Sequence, residues 1–150
     1  MKIHTFESEL GLARPPAELF SFFGDAGNLE TLTPATLRFE ILTPRPIAMH
    51  AGTLIDYRLR IHGIPVRWRT EITAWDPPSR FVDTQLRGPY RLWVHEHTFT
   101  PDRGGTLAMD RVKYSAWGGR LVNRWLIRPD LERIFAHRAL VLRKRFAKSP

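Results

Sequence analysis

Cysteine is absent, so disulfides, thiolate nucleophiles and cysteine-ligated metals lie outside this chain's chemistry. Long apolar runs are missing as well, and nothing approaches the ~20 consecutive apolar residues that a helical membrane span needs. The opening Met1-Lys2-Ile3-His4-Thr5-Phe6-Glu7 has no apolar stretch of the secretory kind. A cytoplasmic protein without membrane insertion is expected. Acidic residues are sparse, 15 against 23 lysines and arginines, for a net charge of +8. Much of that excess falls from Arg120 onward, where nine basic residues accompany only Asp130 and Glu132. Such a helix can dock on an acidic partner, which gives one functional alternative, an interaction domain built on the basic C-terminal helix. With the charges spread round the segment and no nucleic-acid motif, no specific nucleic-acid partner is expected.

What is present points to a packed interior. The 150 residues are 43% hydrophobic, with nine Phe, five Trp and three Tyr, which suits one domain over residues 1–150. Twelve prolines punctuate the chain. Residues 3–10 read as a strand. Pro15-Pro16 opens a short helix carrying Leu19, Phe20 and Phe23 on one side. Asp25 caps a second short helix ending at Thr33-Pro34, and the alternation of Leu37, Phe39 and Ile41 predicts another strand. Turn signals at His62-Gly63, Pro77-Pro78, Gly88-Pro89 and Gly104-Gly105 then delimit strands at 53–61, 66–75, 80–87, 90–100 and 105–115. After Gly118-Gly119 the period becomes helical. Leu131, Ile134, Phe135, Ala139, Leu142 and Phe146 form one stripe, with Asp130 as the expected N-cap.

The expected fold is therefore α+β, a curved seven-stranded antiparallel sheet with two short helices and a long C-terminal helix in its concave face. Aligning strands through their turns puts Tyr57, Trp68, Phe81, Trp93, Phe99, Val112 and Tyr114 on one face. Arg58, Arg60, Arg67, Arg69, Arg91, Arg111 and Lys113 share the other. Each large side chain buried is worth roughly 1.5–3 kcal/mol, so the aromatic face is the inner one. Val82, Leu86, Leu92, Val94, Leu107 and Met109 on the outer face suggest a homodimer or a locally covered surface.

The same alignment places Asp83, His95 and Asp110 side by side within the apolar layer, next to Gln85 and His97. Buried carboxylates and imidazoles must satisfy one another, hold water or meet a ligand. Two acids beside one ring would keep a proton on His95. Four readings stay open: a polar cluster that sets strand register, a ligand-orienting group, an acid–base centre using His95, Asp110 or Asp83, and a metal site. A lone His-x-His on a strand is a weak ligand signal, so neither metal nor cofactor is expected. Ser21 and Ser79 lie in no nucleophile motif, and Gly104-Gly105 precedes a strand where a phosphate loop would precede a helix.

Several segments together resemble a known family. They are Arg14-Pro15-Pro16-Ala17-Glu18-Leu19-Phe20 with Asn28-Leu29-Glu30, then Gly52-Thr53 with Ile55-Asp56-Tyr57, and Trp68-Arg69-Thr70. Phe81-Val82-Asp83, Gly88-Pro89-Tyr90 with Trp93, His95, His97 and Phe99, and Gly105-Thr106 with Asp110, Val112 and Tyr114 complete the set. The chain resembles the SRPBCC superfamily of START-like proteins, closest to its cyclase/dehydrase-type members. That resemblance implies a helix-grip fold with a hydrophobic cavity between sheet and C-terminal helix. It implies no particular reaction, because relatives include lipid carriers, plant hormone-binding proteins and polyketide aromatase/cyclases. The expectation is a binder of a small hydrophobic or amphipathic molecule. A polyketide-type aromatase/cyclase or dehydratase using the same cavity is the alternative. Residues expected to meet the ligand are Tyr57, Trp68, Phe81, Asp83, Gln85, Trp93, His95, His97, Asp110, Val112, Tyr114 and Phe135.

Overall fold

The computed structural model describes residues 1–146. Strand β1 (His4–Leu12) leads into α1 (Pro16–Phe23) and α2 (Asn28–Leu32). A short β2 (Glu40–Ile41) follows, then the meander β3 (Leu54–Ile61), β4 (Ile64–Asp76), β5 (Arg80–Arg87), β6 (Leu92–Asp102) and β7 (Gly105–Ser115). The described residues close with a long helical stretch. It runs through α3 (Gly119–Val122), a π-helical turn (Asn123–Ile127) and α4 (Arg128–Arg145). The seven strands form one antiparallel sheet in the order β1-β7-β6-β5-β4-β3-β2. The expected α+β helix-grip architecture is the observed one.

Alternation decides which face is buried. Trp68, Phe81, Phe99, Val112 and Tyr114 are buried on the side that receives α4, whose own buried positions are Leu131, Phe135, Arg138 and Leu142. One apolar cluster joins α1 to the C-terminal end of α4 through Leu19, Phe20, Phe23, Phe81, Phe99 and Leu142. A second joins β1 and β7 to the start of α4 through Phe6, Val112, Tyr114, Leu131 and Phe135. A third, around Ala26, Ile41 and Ile55, lies apart from both. The outer arginines take acid partners, Arg58 with Glu40, Arg69 with Asp56 and Arg80 with Glu96.

Four expectations need correction. Leu37 belongs to a 3-10 turn (Ala35–Leu37), and Arg38 turns left-handed at φ 46°, so only Glu40 and Ile41 reach the sheet. Asp130 caps nothing, because the helical stretch already begins at Gly119; its carboxylate meets His62 and Arg133 instead. Val82 stands opposite Glu96 on the outer side of the sheet but is buried, so it is locally covered and adds nothing to an exposed patch. Finally, two hairpins pair two residues away from the expected register. Tyr57 faces Trp68, His97 faces Asp110 and Trp93 faces Tyr114. A two-residue slip preserves every face, because side chains alternate with a period of two. It changes which neighbours touch.

Candidate functional site: a cavity with a polar wall

Between sheet and α4 lies a cavity of about 570 Å³. Its walls include Ile55, Tyr57, Leu59, Trp68, Ile72, Phe81 and Trp93 from the strands, Leu37, Phe39 and Met49 from the connections, and Ile134 and Phe135 from α4. Tyr57 and Trp68 stack at 5.7 Å, and Trp93 meets Trp68 edge-on at 5.3 Å. Trp68 Nε1 is a buried donor with no partner among the described residues. Arg60, His62 and Gly63 of the β3–β4 hairpin and Asp130, Arg133 and His137 of α4 also line the space. His62 Nε2 lies 2.8 Å from Asp130 Oδ2, tying hairpin to helix.

One wall is polar. Asp83, His95 and His97 project from β5 and β6, and Arg138 reaches toward them from α4. His97 Nε2 donates to Asp83 Oδ2 at 2.8 Å. His95 Nε2 lies 2.8 Å from Asp110 Oδ1, and Arg138 Nη2 donates to the same oxygen at 3.0 Å. Both Asp110 Oδ1 and Arg138 Nη2 stand 3.2 Å from His97 Nδ1. A charged His97 donates there to Asp110, whereas a neutral ring accepts from Arg138. The Arg138 guanidinium also lies over the rings of Phe23 at 4.9 Å and Phe135 at 5.5 Å.

Burial and charge pull on these groups in opposite directions. Burial would raise Asp110, but Arg138 and the bonds from His95 and His97 overcome it and hold its carboxyl well below the usual range. Burial would likewise raise Asp83, and its bond from His97 pulls it lower. For His97 burial favours the neutral ring, yet hydrogen bonds to Asp110 and Asp83 win and raise its pKa. Burial and the neighbouring His97 lower His95 against the pull of Asp110. A protonated His97 together with Arg138 would balance the two ionised aspartates and leave the cluster neutral. The ring sandwiched between two acids is thus His97, and the expectation for His95 is corrected. The cause is the two-residue slip between β6 and β7.

An ionised Asp110 needs a proton on His95 Nε2, which leaves Nδ1 as a bare acceptor. No hydrogen bond engages Nδ1 among the described residues, and the ring lines the cavity. The donor atoms of Asp83, His95 and His97 lie within 4.8 Å of one another, close enough to share a metal ion. Arg138 places a fixed positive charge beside them, and this opposes a second cation.

Of the twelve residues expected to meet a ligand, Tyr57, Trp68, Phe81, Asp83, Trp93, His95, His97 and Phe135 line the cavity. The other four lie off it. Gln85 closes the β5–β6 turn through the backbone of Tyr90, Asp110 stands behind the two imidazoles, and Val112 packs against Phe6 and Phe135. Tyr114 donates its hydroxyl to Asn123 at 2.6 Å. Arg138 escaped the sequence reading. Its spacing from Phe135 and Leu142 put it on the inward stripe, where an arginine requires a buried anion.

Over residues 4–146 the chain matches the family described as polyketide cyclase/dehydrase and lipid transport. The chain belongs to that family. The polyketide cyclase/dehydrase and lipid transport family falls within the SRPBCC superfamily that the sequence resembles. No curated protein matches the chain. Among solved structures, the chain is similar to Ara h 8.0201, at 18% identity over 97% of this chain and 98% of that one, TM-score 0.69. It is also similar to major latex-like protein 151 from Panax ginseng, at 12% identity over 97% and 99%, TM-score 0.72. A third is TTHA0849 from Thermus thermophilus, at 18% identity over 94% and 92%, TM-score 0.68. At these identities the likeness concerns the fold.

Proposed function

We propose that this family member binds one small, largely apolar molecule in the cavity, with a single neutral polar group directed at His95. The carrying observation is the combination of about 570 Å³ of aromatic-walled space with one polar wall. Small-molecule pockets span roughly 300–1,000 Å³ and pair apolar linings with a few fixed polar groups. With His97 protonated, the charges of Asp83, Asp110, His97 and Arg138 cancel. A charged headgroup would therefore be desolvated without compensation, which favours a neutral donor such as a hydroxyl. A hydroxyl would donate to His95 Nδ1. Native mass spectrometry of the purified protein, with displacement of a fluorescent apolar probe by long-chain alcohols, tests this. Displacement by alcohols well ahead of the matching carboxylates is expected. A protein that takes up no apolar guest removes the reading.

A second reading has one specific observation in its favour, the unengaged Nδ1 of His95 backed by Asp110. A base so placed could take a proton from a carbon beside a carbonyl of a bound polyketide-like chain. It would return that proton to a departing hydroxyl, releasing water. His95→Gln should then keep binding and lose turnover. Equal turnover in the variant would exclude the reading.

A further inference from the structure

Ahead of α4 the chain exposes a set of side chains that the fold does not use. Trp117 is 68% exposed, Leu121 71% and Trp125 67%, with Leu126 also exposed. The segment is nonetheless held firmly. Asn123 bonds Tyr114 at 2.6 Å and His4 at 3.3 Å, Ile127 packs on the Phe6–Val112–Leu131–Phe135 cluster, and Arg128 donates to the Thr5 carbonyl at 3.0 Å. Gly118 and Gly119, with φ of 94° and 69°, make the turn that starts the helix, in a region other residues avoid. Leu121 and Trp125 are spaced as neighbours on one helix face. Arg120, Arg124 and Arg128 lie among them, and no acid occurs from Ala116 to Pro129. Arg124 lies over the Trp125 ring at 5.3 Å, and Arg91 over Trp117 at 4.5 Å.

We propose that the face formed by Trp117, Leu121 and Trp125 with Arg120 and Arg124 docks the protein on an anionic lipid bilayer surface. Three observations favour this occupant. Indole rings with a nearby guanidinium suit the headgroup boundary, where an apolar body and a charged tip both find their medium. The local charge is uniformly positive, complementary to anionic lipid. A second copy on the same patch would set these arginines against their own images. A nucleic-acid strand could stack on the indoles but offers nothing apolar to Leu121 and Leu126. This is surface docking and no crossing of the bilayer; among the described residues no helix is long and apolar enough to span one. Asp130, on the cavity lining, stands five residues beyond Trp125 on the same helical stretch, about 7.5 Å along the axis at 1.5 Å per residue. A docked protein would thus hold the cavity close to the lipid. The proposal stands whether or not the cavity binds a ligand.

Vesicle co-sedimentation of the full chain tests it, with phosphatidylcholine alone and mixed with phosphatidylglycerol. Binding only to the mixed vesicles, weakening with added salt, is expected. Leu121→Ala and Trp125→Ala should each lower the partition coefficient by roughly tenfold, without moving the melting temperature. Brominated lipid should quench indole emission of the unaltered protein, a readout that no variant's misfolding can affect. Absence of sedimentation with anionic vesicles, or equal partitioning of the variants with no quenching, overturns the proposal. It is also overturned if sedimentation velocity without lipid shows a dimer that Trp125→Ala dissolves, or if a single-stranded oligonucleotide binds more tightly than the vesicles and loses binding in the same variants.

Discussion

The imidazoles of His95 and His97 lie face to face, 3.7 Å between centroids, yet their pKa values are displaced in opposite directions. Two positive rings so close would repel. The sheet resolves this by giving His97 both carboxylates, Asp83 and Asp110, and His95 only the shared Asp110. One ring favours the cation and the other the neutral base.

Stability should therefore decline on both sides of neutrality. His97 has a raised folded pKa, so its contribution is complete below the unfolded value of 6.5 and fades as pH rises through the folded one. His95 has a lowered folded pKa, so below 6.5 the unfolded chain binds the proton first and stability drops as pH falls. Each limb should have a slope of at most about 1.4 kcal/mol per pH unit. In urea melts across pH, His97→Gln should flatten the alkaline limb and His95→Gln the acid limb between 6.5 and the folded pKa. A variant pair with unchanged limbs would refute the assignment.

Arg138→Met should destabilise the protein by about 3 kcal/mol, because the shared Asp110 carboxylate loses its permanent counter-charge. Combining Arg138→Met with Asp110→Asn should recover part of that loss, measured by a double-mutant cycle in urea. Strict additivity would show that the pair does not act together.

Met49→Trp, on the cavity wall, should fill guest space while the sheet and α4 keep their contacts. Probe affinity is expected to fall roughly tenfold or more, with a change in stability under about 1.5 kcal/mol. Undiminished probe binding would place the guest elsewhere.

Tyr114→Phe removes the 2.6 Å bond to Asn123, which holds the π-helical turn against β7. A loss of about 1 kcal/mol is expected. Hydrogen exchange should quicken first between Asn123 and Ile127. Exchange that quickens uniformly would argue against a local role.

Much of this was legible in the residues, and the boundary has a physical cause. Strand number, inner and outer face and the terminal helix follow from periods of 2 and 3.6, which survive a two-residue slip unharmed. Which residues touch did not survive it: Tyr57 pairs with Trp68, and His97 takes the place expected of His95, since neighbours depend on register as well as parity. Register here depends on hairpin geometry and on the irregularity near Thr73, which leave little trace in composition.

By itself the amino-acid order determined an antiparallel sheet with an aromatic inside and a basic outside, because misplacing either face would bury guanidinium groups. Only the tertiary structure decided that the aromatic layer leaves a hollow, that Arg138 crosses from α4 to pair with Asp110, and that Trp117 and Trp125 stay outside. Those outcomes depend on how far the sheet curves from the helix and where the last helical stretch begins, distances between segments that no local period encodes.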